Sequence, residues 1–503
     1  MNTFKPKSDI FLSTGGNSYF YNKDEKIFFT VHPLFLYFNK SDKFLKPIKK
    51  EDSIKIKKEL FKNGVKISLK KIINIHKQYL FINKEFKKNN NANNFKFNIL
   101  KDHSLVINNF NASQQVIFEV TDKCNLNCTY CSYGALYTNY DERYKKDMDF
   151  KTIKTVIDYY TPFWKKRAKG KFREKINISF YGGEPLLRLD LIKKAIHYLE
   201  KIGLPNDFFT FSLTTNALLL KRSIDFLVEY GFALLISLDG NEYNHSFRVD
   251  HNGKNSFKRV LDNIRFIKEK YPKYFDEKVN FNTVLHKRNN FTEINDFFDK
   301  EGLPRPSIAE LSIANAKDAN QILEYTYKSN KNDEVRSLEE YIEKRSVQAT
   351  QLSFFRKYCI KHYQNHIDLY QFYSKQTISP TGTCLPFSLR VFVTANRKLL
   401  SCEKIGNQFQ FGYIDDNNQI VIDTEKALKQ FNEYTSSYMQ YCRTCYRRSE
   451  CKICAFREGL LNKNSICPEY VSEDKFMQEV QFNISIIEKK PELYNKVTKV
   501  LTT

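Results

Sequence analysis

From Val116 onward the chain alternates short apolar runs with longer segments whose apolar residues recur at helical spacing. VIFEV (Val116–Val120), INISFYGG (Ile176–Gly183), FFTFSLTTN (Phe208–Asn216), FALLISLDG (Phe232–Gly240), VNFNTVL (Val279–Leu285) and SIAELSI (Ser307–Ile313) read as strands. Helices are predicted around Phe150 to Lys166 and from about Leu187 to Ile202. The amphipathic segments KRSIDFLVEYG, SFKRVLDNIRFIKEKY and TEINDFFDKEG follow the later strands. Strand and helix in strict alternation predict an α/β domain, residues 111–320, built on a parallel sheet with crossover helices. Chemistry in such folds collects where the strands end at their carboxyl termini.

The flanking regions follow other patterns. Residues 1–110 predict a small α+β domain. NSYFYNKDEKIFFTV reads as a hairpin turning at Asn22-Lys23-Asp24, and a lysine-rich helical segment starts at Glu51 with a turn at Asn63-Gly64. KKNNNANN (Lys87–Asn94) is a polar break, expected as an exposed loop. Apolar spacing at Leu338, Tyr341 and Ile342 predicts a helical bridge over residues 321–380. LRVFVT-AN-RKLLSC reads as a β-hairpin turning at Asn396, within a cysteine-rich region spanning 381–475. A C-terminal helix over 476–503 completes the predicted order.

Composition narrows the function classes. The 503 residues are 41% hydrophobic, enough for several globular cores and unlike a disordered chain. No N-terminal apolar segment or run long enough to cross a bilayer is present, so a soluble, cytoplasmic protein without a membrane partner is expected. The net charge of +24 comes from lysines spread along the whole chain with acids between them. It is read as a composition bias that favours acidic peptides, and nucleic acid is not expected as a partner. Eleven cysteines in a chain this large, with no secretion signal, point to metal ligation in a reducing compartment and away from a disulfide scaffold.

Candidate chemistry begins directly after the first strand, in TDKCNLNCTYC. Cys124, Cys128 and Cys131 have the spacing C-x3-C-x2-C. Thiolates this close can converge on one metal centre, and thiolates hold iron–sulfur clusters. Three ligands on a four-iron cluster leave one iron open to a small molecule. A structural zinc site is the other reading, although such sites pair C-x2-C units with a nearby fourth ligand. Further motifs end later strands: YGGEP (Tyr181–Pro185), TTN (Thr214–Asn216) and SLDG (Ser237–Gly240), with His245 and Arg248 beyond. Asn282 and Thr283 read as packing residues, with a place in the pocket lining as the other reading.

These motifs resemble those of the radical S-adenosylmethionine (SAM) enzymes. Their signature is C-x3-C-x2-C after a first strand, with an aromatic residue, here Tyr130, before the last cysteine. The resemblance implies an open (β/α)6 partial TIM barrel and a [4Fe–4S] cluster on Cys124, Cys128 and Cys131, with SAM chelating the fourth iron. It also implies reductive cleavage of SAM to a 5′-deoxyadenosyl radical. By the same resemblance Gly182, Gly183, Glu184 and Pro185 form the motif at the SAM amino group, Asn216 lies near SAM, and Ser237 and Arg248 contact its ribose and carboxylate. The spacing from Ser237 to Arg248 is one residue shorter than the usual form.

Seven more cysteines occupy the C-terminal part: Cys384, Cys402, Cys442, Cys445, Cys451, Cys454 and Cys467. Zinc knuckles are the alternative, but seven thiolates do not divide into two closed four-cysteine sites. The order is similar to the SPASM domain of peptide-modifying radical SAM enzymes, which implies two auxiliary [4Fe–4S] clusters. Cys442, Cys445, Cys451 and Cys467 would hold the distal one, and Cys384, Cys402 and Cys454 the proximal one. Two features depart from that family: C-x2-C where C-x3-C is usual at the last pair, and Arg397 where glycine is usual. The proximal cluster would keep an open iron, or Cys359, otherwise read as a buried structural cysteine, would close it.

FEVTDKCNLNCTYCSYG and CEKIG look most like maturases of ribosomally made, post-translationally modified peptides. The resemblance implies a precursor peptide as substrate, modified by cross-link, thioether or epimerisation, and an electron donor such as flavodoxin or ferredoxin. Residues 1–110 resemble the peptide-binding module found at this end of many such enzymes; a structural extension without ligand is the other reading. An anaerobic sulfatase-maturating enzyme is the alternative activity, and a non-catalytic iron–sulfur or nucleic-acid-binding scaffold the alternative class. No residue is identified as a catalytic acid or base.

Overall fold

The computed structural model describes residues 10–13, 15–22, 27–87, 99–134, 136–137, 145–170, 175–311, 316–326, 382–447, 451, 453–461 and 466–489. The expected break at Lys88–Asn94, the turn residues Lys23 and Asp24, and Ile313 lie outside them. So do Cys359, the bridge residues Leu338, Tyr341 and Ile342, and the chain beyond Lys489.

At the N-terminus, β1 (Ile10–Leu12), β2 (Ser18–Asn22) and β3 (Ile27–Thr30) form an antiparallel sheet in sequence order. Helices α1 (Leu34–Phe38), α2 (Lys50–Lys62) and α3 (Leu69–Lys87) follow. Phe35, Phe38, Phe44, Ile56, Ile72, Ile75 and Tyr79 pack into one core beneath them, with the α3 members at helical spacing. Gly64 ends α2 with φ +78°, a conformation that the absent side chain permits. The other face of β1 and β2 meets the far end of the chain. Phe11, Tyr19 and Tyr21 pack with Phe476, Met477, Val480 and Ile484 of the C-terminal helix. Glu488 on that helix accepts hydrogen bonds from Ser13 Oγ (2.8 Å), Asn17 Nδ2 (2.8 Å) and Tyr19 OH (2.7 Å).

After α4 (His103–Asn111) the predicted alternation is realised. The strands are β4 (Gln115–Thr121), β5 (Ile176–Gly182), β6 (Phe209–Thr215), β7 (Ala233–Ser237), β8 (Val279–Leu285) and β9 (Ser307–Glu310), neighbouring and parallel in chain order. The connecting helices are α5 (Phe150–Ala168), α6 (Leu189–Glu200), α7 (Leu220–Glu229), α8 (Phe257–Lys270), α9 (Pro272–Lys278) and α10 (Phe291–Lys300), with α11 (Ala319–Leu323) beyond β9. On β5 the two faces separate. Ile176, Ile178 and Phe180 are buried in the main hydrophobic core, whereas Asn177 and Ser179 join Gln115 and Ser212 in a polar ladder across β4 to β6. Period-two alternation thus leaves one face of the sheet polar.

The hairpin read in the cysteine-rich region belongs to this same sheet. β10 (Arg390–Val393) lies parallel to β4, pairing Val391 with Val116, and continues antiparallel into β11 (Lys398–Leu400), β12 (Gln410–Ile414) and β13 (Ile420–Ile422). The sheet therefore runs β13-β12-β11-β10-β4-β5-β6-β7-β8-β9. Helices α12 (Thr424–Cys442), α13 (Ala455–Glu458) and α14 (Glu473–Lys489) complete it. Among the described residues no helix is long and apolar enough to cross a membrane.

At the β10–β11 turn Arg397 has φ +64°, a conformation that favours glycine. A Cβ there costs about 1–2 kcal/mol of strain, most for a β-branched side chain. Arg397→Gly is expected to hold or raise the unfolding midpoint despite losing the bond to Asn418 Oδ1, and Arg397→Val to lower it. Urea titration checks both; a destabilised glycine variant would contradict the strain argument.

Candidate functional site

The cysteine loop leaves the carboxyl end of β4 and is held by backbone bonds on two sides. Asp122 N donates to Lys146 O (3.0 Å), Asn127 N to Val249 O (2.7 Å) and Thr129 N to Phe247 O (3.0 Å). His251 Nε2–H donates to the carbonyl of Cys124 (2.9 Å). So arranged, Cys124, Cys128 and Cys131 line one cavity together with Gly182, Gly183, Asn216, Ser237 and Arg248, and with Leu126, Tyr133, Tyr181, Thr214 and Thr215. The ends of β4, β5, β6 and β7 therefore meet at one place.

Gly182 and Gly183 make that meeting possible. Gly183 N donates to Thr121 O (2.9 Å) and Glu184 N to Lys123 O (2.8 Å), bringing the β5 end onto the start of the cysteine loop. A Cβ on Gly182 would lie 2.2 Å from the Thr121 carbonyl oxygen. The close approach these glycines allow is thus to the protein's own backbone.

Glu184 is buried and its carboxylate is engaged internally. It accepts from Leu186 N (3.1 Å), Thr215 Oγ1 (2.8 Å) and Asn216 N (2.8 Å), with burial raising its pKa to about 7. It ties the β5 turn to the β6 end, while Pro185 opens the short turn behind it. Asn216 in turn donates through Nδ2 to Asn125 Oδ1 (2.7 Å) and reaches Cys124 Sγ at 3.7 Å. Thr283 is buried, bonded to Leu238 O at 2.6 Å.

Behind the cavity wall Arg248 and Tyr130 meet at Asp239, a residue to which the motif reading gave no role. Asp239 accepts from Arg248 Nε (2.9 Å) and Nη2 (3.0 Å), from Val284 N (3.0 Å) and from the Tyr130 hydroxyl. Burial raises its pKa, but the Arg248 guanidinium together with the neighbouring His286 and His245 imidazoles outweighs this and holds the carboxyl well below the usual range. Tyr130 accordingly points its hydroxyl at Asp239. Tyr181 and Tyr133 were missed as well, although period-two alternation along β5 places Tyr181 on the polar face with Asn177 and Ser179.

Several of the C-terminal cysteines are neighbours. Cys442, at the end of α12, packs with Cys467 and Cys451 around Tyr438, and Cys445 lies within electrostatic reach of Cys451 and Cys467. Cys454 lies near Cys384 and also near Tyr438, and Cys384 and Cys402 both lie near Arg390. Gly382 backs the first set closely: a Cβ there would lie 2.0 Å from Cys451 O.

None of the ten described cysteines forms a disulfide. Among the described residues no three acidic, histidine or cysteine side chains converge tightly enough for a single ion, whereas a four-iron cube spaces its thiolates more widely. Leu126 N and Lys404 N each point at a sulfur, on Cys124 and Cys402, at 3.4 Å. Such N–H groups stabilise thiolate ligands. Burial raises the Cys128 thiol to about 12, so charged sulfur there needs a metal beside it. The donor set suits iron–sulfur clusters.

Fold and site together define an α/β protein with a three-cysteine cavity at its strand ends. Residues 118–300 match the Radical SAM superfamily, and this part of the chain is a radical SAM domain. The cysteine-type anaerobic sulfatase-maturating enzyme of Clostridium novyi is 29% identical over 37% of this chain and 48% of its own length. The radical SAM cyclopropyl synthase TigE of Paramaledivibacter caminithermalis is 29% identical over 33% and 34% respectively. The chain spans about half or less of the length of these curated relatives. A solved structure, native anSMEcpe with bound AdoMet and Cp18Cys peptide, covers 77% of this chain and 99% of its own at 17% identity and a TM-score of 0.48.

Proposed function

We propose that this chain is a radical SAM enzyme that modifies a ribosomally made precursor peptide by cross-link, thioether or epimerisation. The observation that carries the reading is the cavity shared by Cys124, Cys128 and Cys131 with Gly182, Gly183, Asn216, Ser237 and Arg248, all within the matched segment. The three cysteines would hold a [4Fe–4S] cluster, which supplies electron transfer to SAM and so a carbon-centred radical. The protein's own work is placement. Gly182 and Gly183 let the strand ends close on the cysteine loop, Asn216 braces that loop through Asn125, and Arg248 places a guanidinium in the cavity wall.

Cys442, Cys445, Cys451 and Cys467 are assigned to one auxiliary cluster, and Cys384, Cys402 and Cys454 to a second. Flavodoxin or ferredoxin is the expected electron donor, in the cytoplasm. The relative named as a sulfatase-maturating enzyme supports a polypeptide substrate and favours sulfatase maturation as the second reading.

Residues 1–110 are assigned to peptide recognition. A groove of about 660 Å³ between β3 and α3, lined by Val31, Phe35, Lys77 and Phe81 among others, has ligand-sized volume. Among the described residues β3 is an edge strand of its sheet, and an extended segment can add to such an edge. Phe81 is largely exposed at this groove. Phe81→Asp is expected to weaken precursor binding about tenfold and leave peptide-independent SAM cleavage intact. Fluorescence anisotropy with a labelled precursor reads the affinity; unchanged binding would remove the groove from the account.

The proposal as a whole is tested by anaerobic reconstitution, iron and sulfide counts, and 5′-deoxyadenosine release with SAM and reductant. Release that rises when precursor peptide is added supports a peptide maturase. Zinc without sulfide, or no release, would favour a scaffold.

A further inference from the structure

The segment that follows β7 does more than line the cavity. Phe247 and Val249 give their carbonyls to Thr129 N and Asn127 N, and His251 caps the Cys124 carbonyl. Two stretches of the cysteine loop's backbone therefore hang on residues 247–251. Between the two accepting carbonyls sits Arg248, buried, with its guanidinium 5.4 Å from the Tyr130 ring centroid. A lone guanidinium is unfavourable in such a place, and its balance is Asp239, which has no exposed surface. The same carboxylate takes the hydroxyl of Tyr130, next to Cys131, and the backbone N–H of Val284.

We infer that Asp239 is a positioning residue that sets the cysteine loop and Arg248 in their working geometry before cluster or SAM arrives. It acts through the residues it holds. Through Arg248 it fixes segment 247–251, on which Asn127 and Thr129 hang, and through Tyr130 it fixes the loop directly. By engaging Nε and Nη2 it also takes up one fork of the guanidinium, leaving Nη1 for a ligand in the cavity. An anionic ligand there meets a single edge of a charge already balanced, so Arg248 orients more than it attracts. The nature of that ligand rests on the radical SAM reading; the ordering of the loop does not.

The test begins with the full-length, metal-free chain. Alkylation by iodoacetamide is followed cysteine by cysteine by peptide mass mapping, beside a thermal unfolding curve. Asp239→Asn is expected to speed labelling of Cys124, Cys128 and Cys131 about fivefold through local opening. Cys442, Cys445 and Cys467 should react at the wild-type rate. Tyr130→Phe, which removes one of the bonds, should give a smaller change at the same three sites. After reconstitution, Asp239→Asn should raise KM for SAM about tenfold with a smaller change in kcat.

The double variant Asp239→Asn/Arg248→Met removes both charges. It leaves no unpaired guanidinium buried but keeps the tie to segment 247–251 broken, so labelling of the three cysteines should stay faster than in wild type and KM for SAM should stay high. It decides the matter if the single variant does not fold, and wild-type labelling in it would overturn the inference. Labelling unchanged at the three cysteines, or accelerated equally at all of them, would overturn the inference. A wild type that cleaves no SAM would refute the proposed function and leave the labelling result standing.

Discussion

Cys124→Ala is expected to abolish SAM-dependent release of 5′-deoxyadenosine, a loss of at least about a thousandfold, or about 4 kcal/mol in the barrier. The Cys124 sulfur receives the Leu126 N–H and lies 3.7 Å from Asn216 Nδ2, while its carbonyl is held separately by His251. Alanine keeps that carbonyl, and Asn127 and Thr129 keep their bonds to residues 247–251. The loop therefore stays docked, and two thiolates remain where three are required. Bound iron should fall by about four atoms per chain, the content of one cluster. The unfolding midpoint of the metal-free protein should move little, because about 1 kcal/mol is the usual net worth of the hydrogen bond lost. Chromatographic detection of 5′-deoxyadenosine beside an iron assay separates the two effects. Wild-type release by the variant would mean that the cysteine triad is not the centre of the chemistry.

Gly183→Ala should give a large loss of stability from a single methyl group. Its Cβ would lie 2.1 Å from the Lys123 carbonyl oxygen, 2.4 Å from the Lys123 carbonyl carbon and 2.6 Å from the Asp122 oxygen. All three are backbone atoms, so no side chain can swing aside. The Lys123 oxygen also accepts the Glu184 N–H at 2.8 Å, and moving it breaks that bond. Overpacking against rigid atoms together with the broken bond makes about 3 kcal/mol a reasonable scale. Displacement passes directly to Cys124, so cluster assembly should fail together with stability. Urea unfolding of the metal-free protein measures the first effect and iron content the second. An alanine variant as stable as wild type would show that the β5 end and the cysteine loop are not in contact as described.

Much of the central sheet was legible because period-two and helical apolar patterns report burial directly. The six strands from Val116 to Glu310 and their crossover helices fall where those patterns put them. The pairing of Val391 with Val116 was not legible, since it joins residues far apart in sequence, and periodicity gives strand existence without strand partners. The hairpin was accordingly read with the cysteines that follow it, although it extends the central sheet. The packing of β1 and β2 on α14 escaped for the same reason.

At the site, cysteine spacing and strand-end motifs located the cavity. What they could not give was the direction in which a side chain points. Glu184 stands in a recognisable motif, yet its carboxylate is taken by Thr215 and Asn216. Asp239 stands in SLDG with no pattern to mark it, and its role depends on Arg248, further along the same connection, and Tyr130, from the cysteine loop, converging on it. Arg397 carried a readable signal, a departure at a position where glycine is usual, and the left-handed turn is its physical cause.

The most direct measurement is the mass of a precursor peptide encoded beside this gene, before and after anaerobic incubation with the reconstituted protein, SAM and reductant, in ordinary and heavy water. A SAM-dependent loss of two hydrogens per modified site, or uptake of deuterium at a non-exchanging carbon without loss, is the predicted result and would locate the bond by fragmentation. A peptide unchanged in mass and free of deuterium, while 5′-deoxyadenosine accumulates, would contradict the precursor-peptide account and turn attention to sulfatase-type polypeptides.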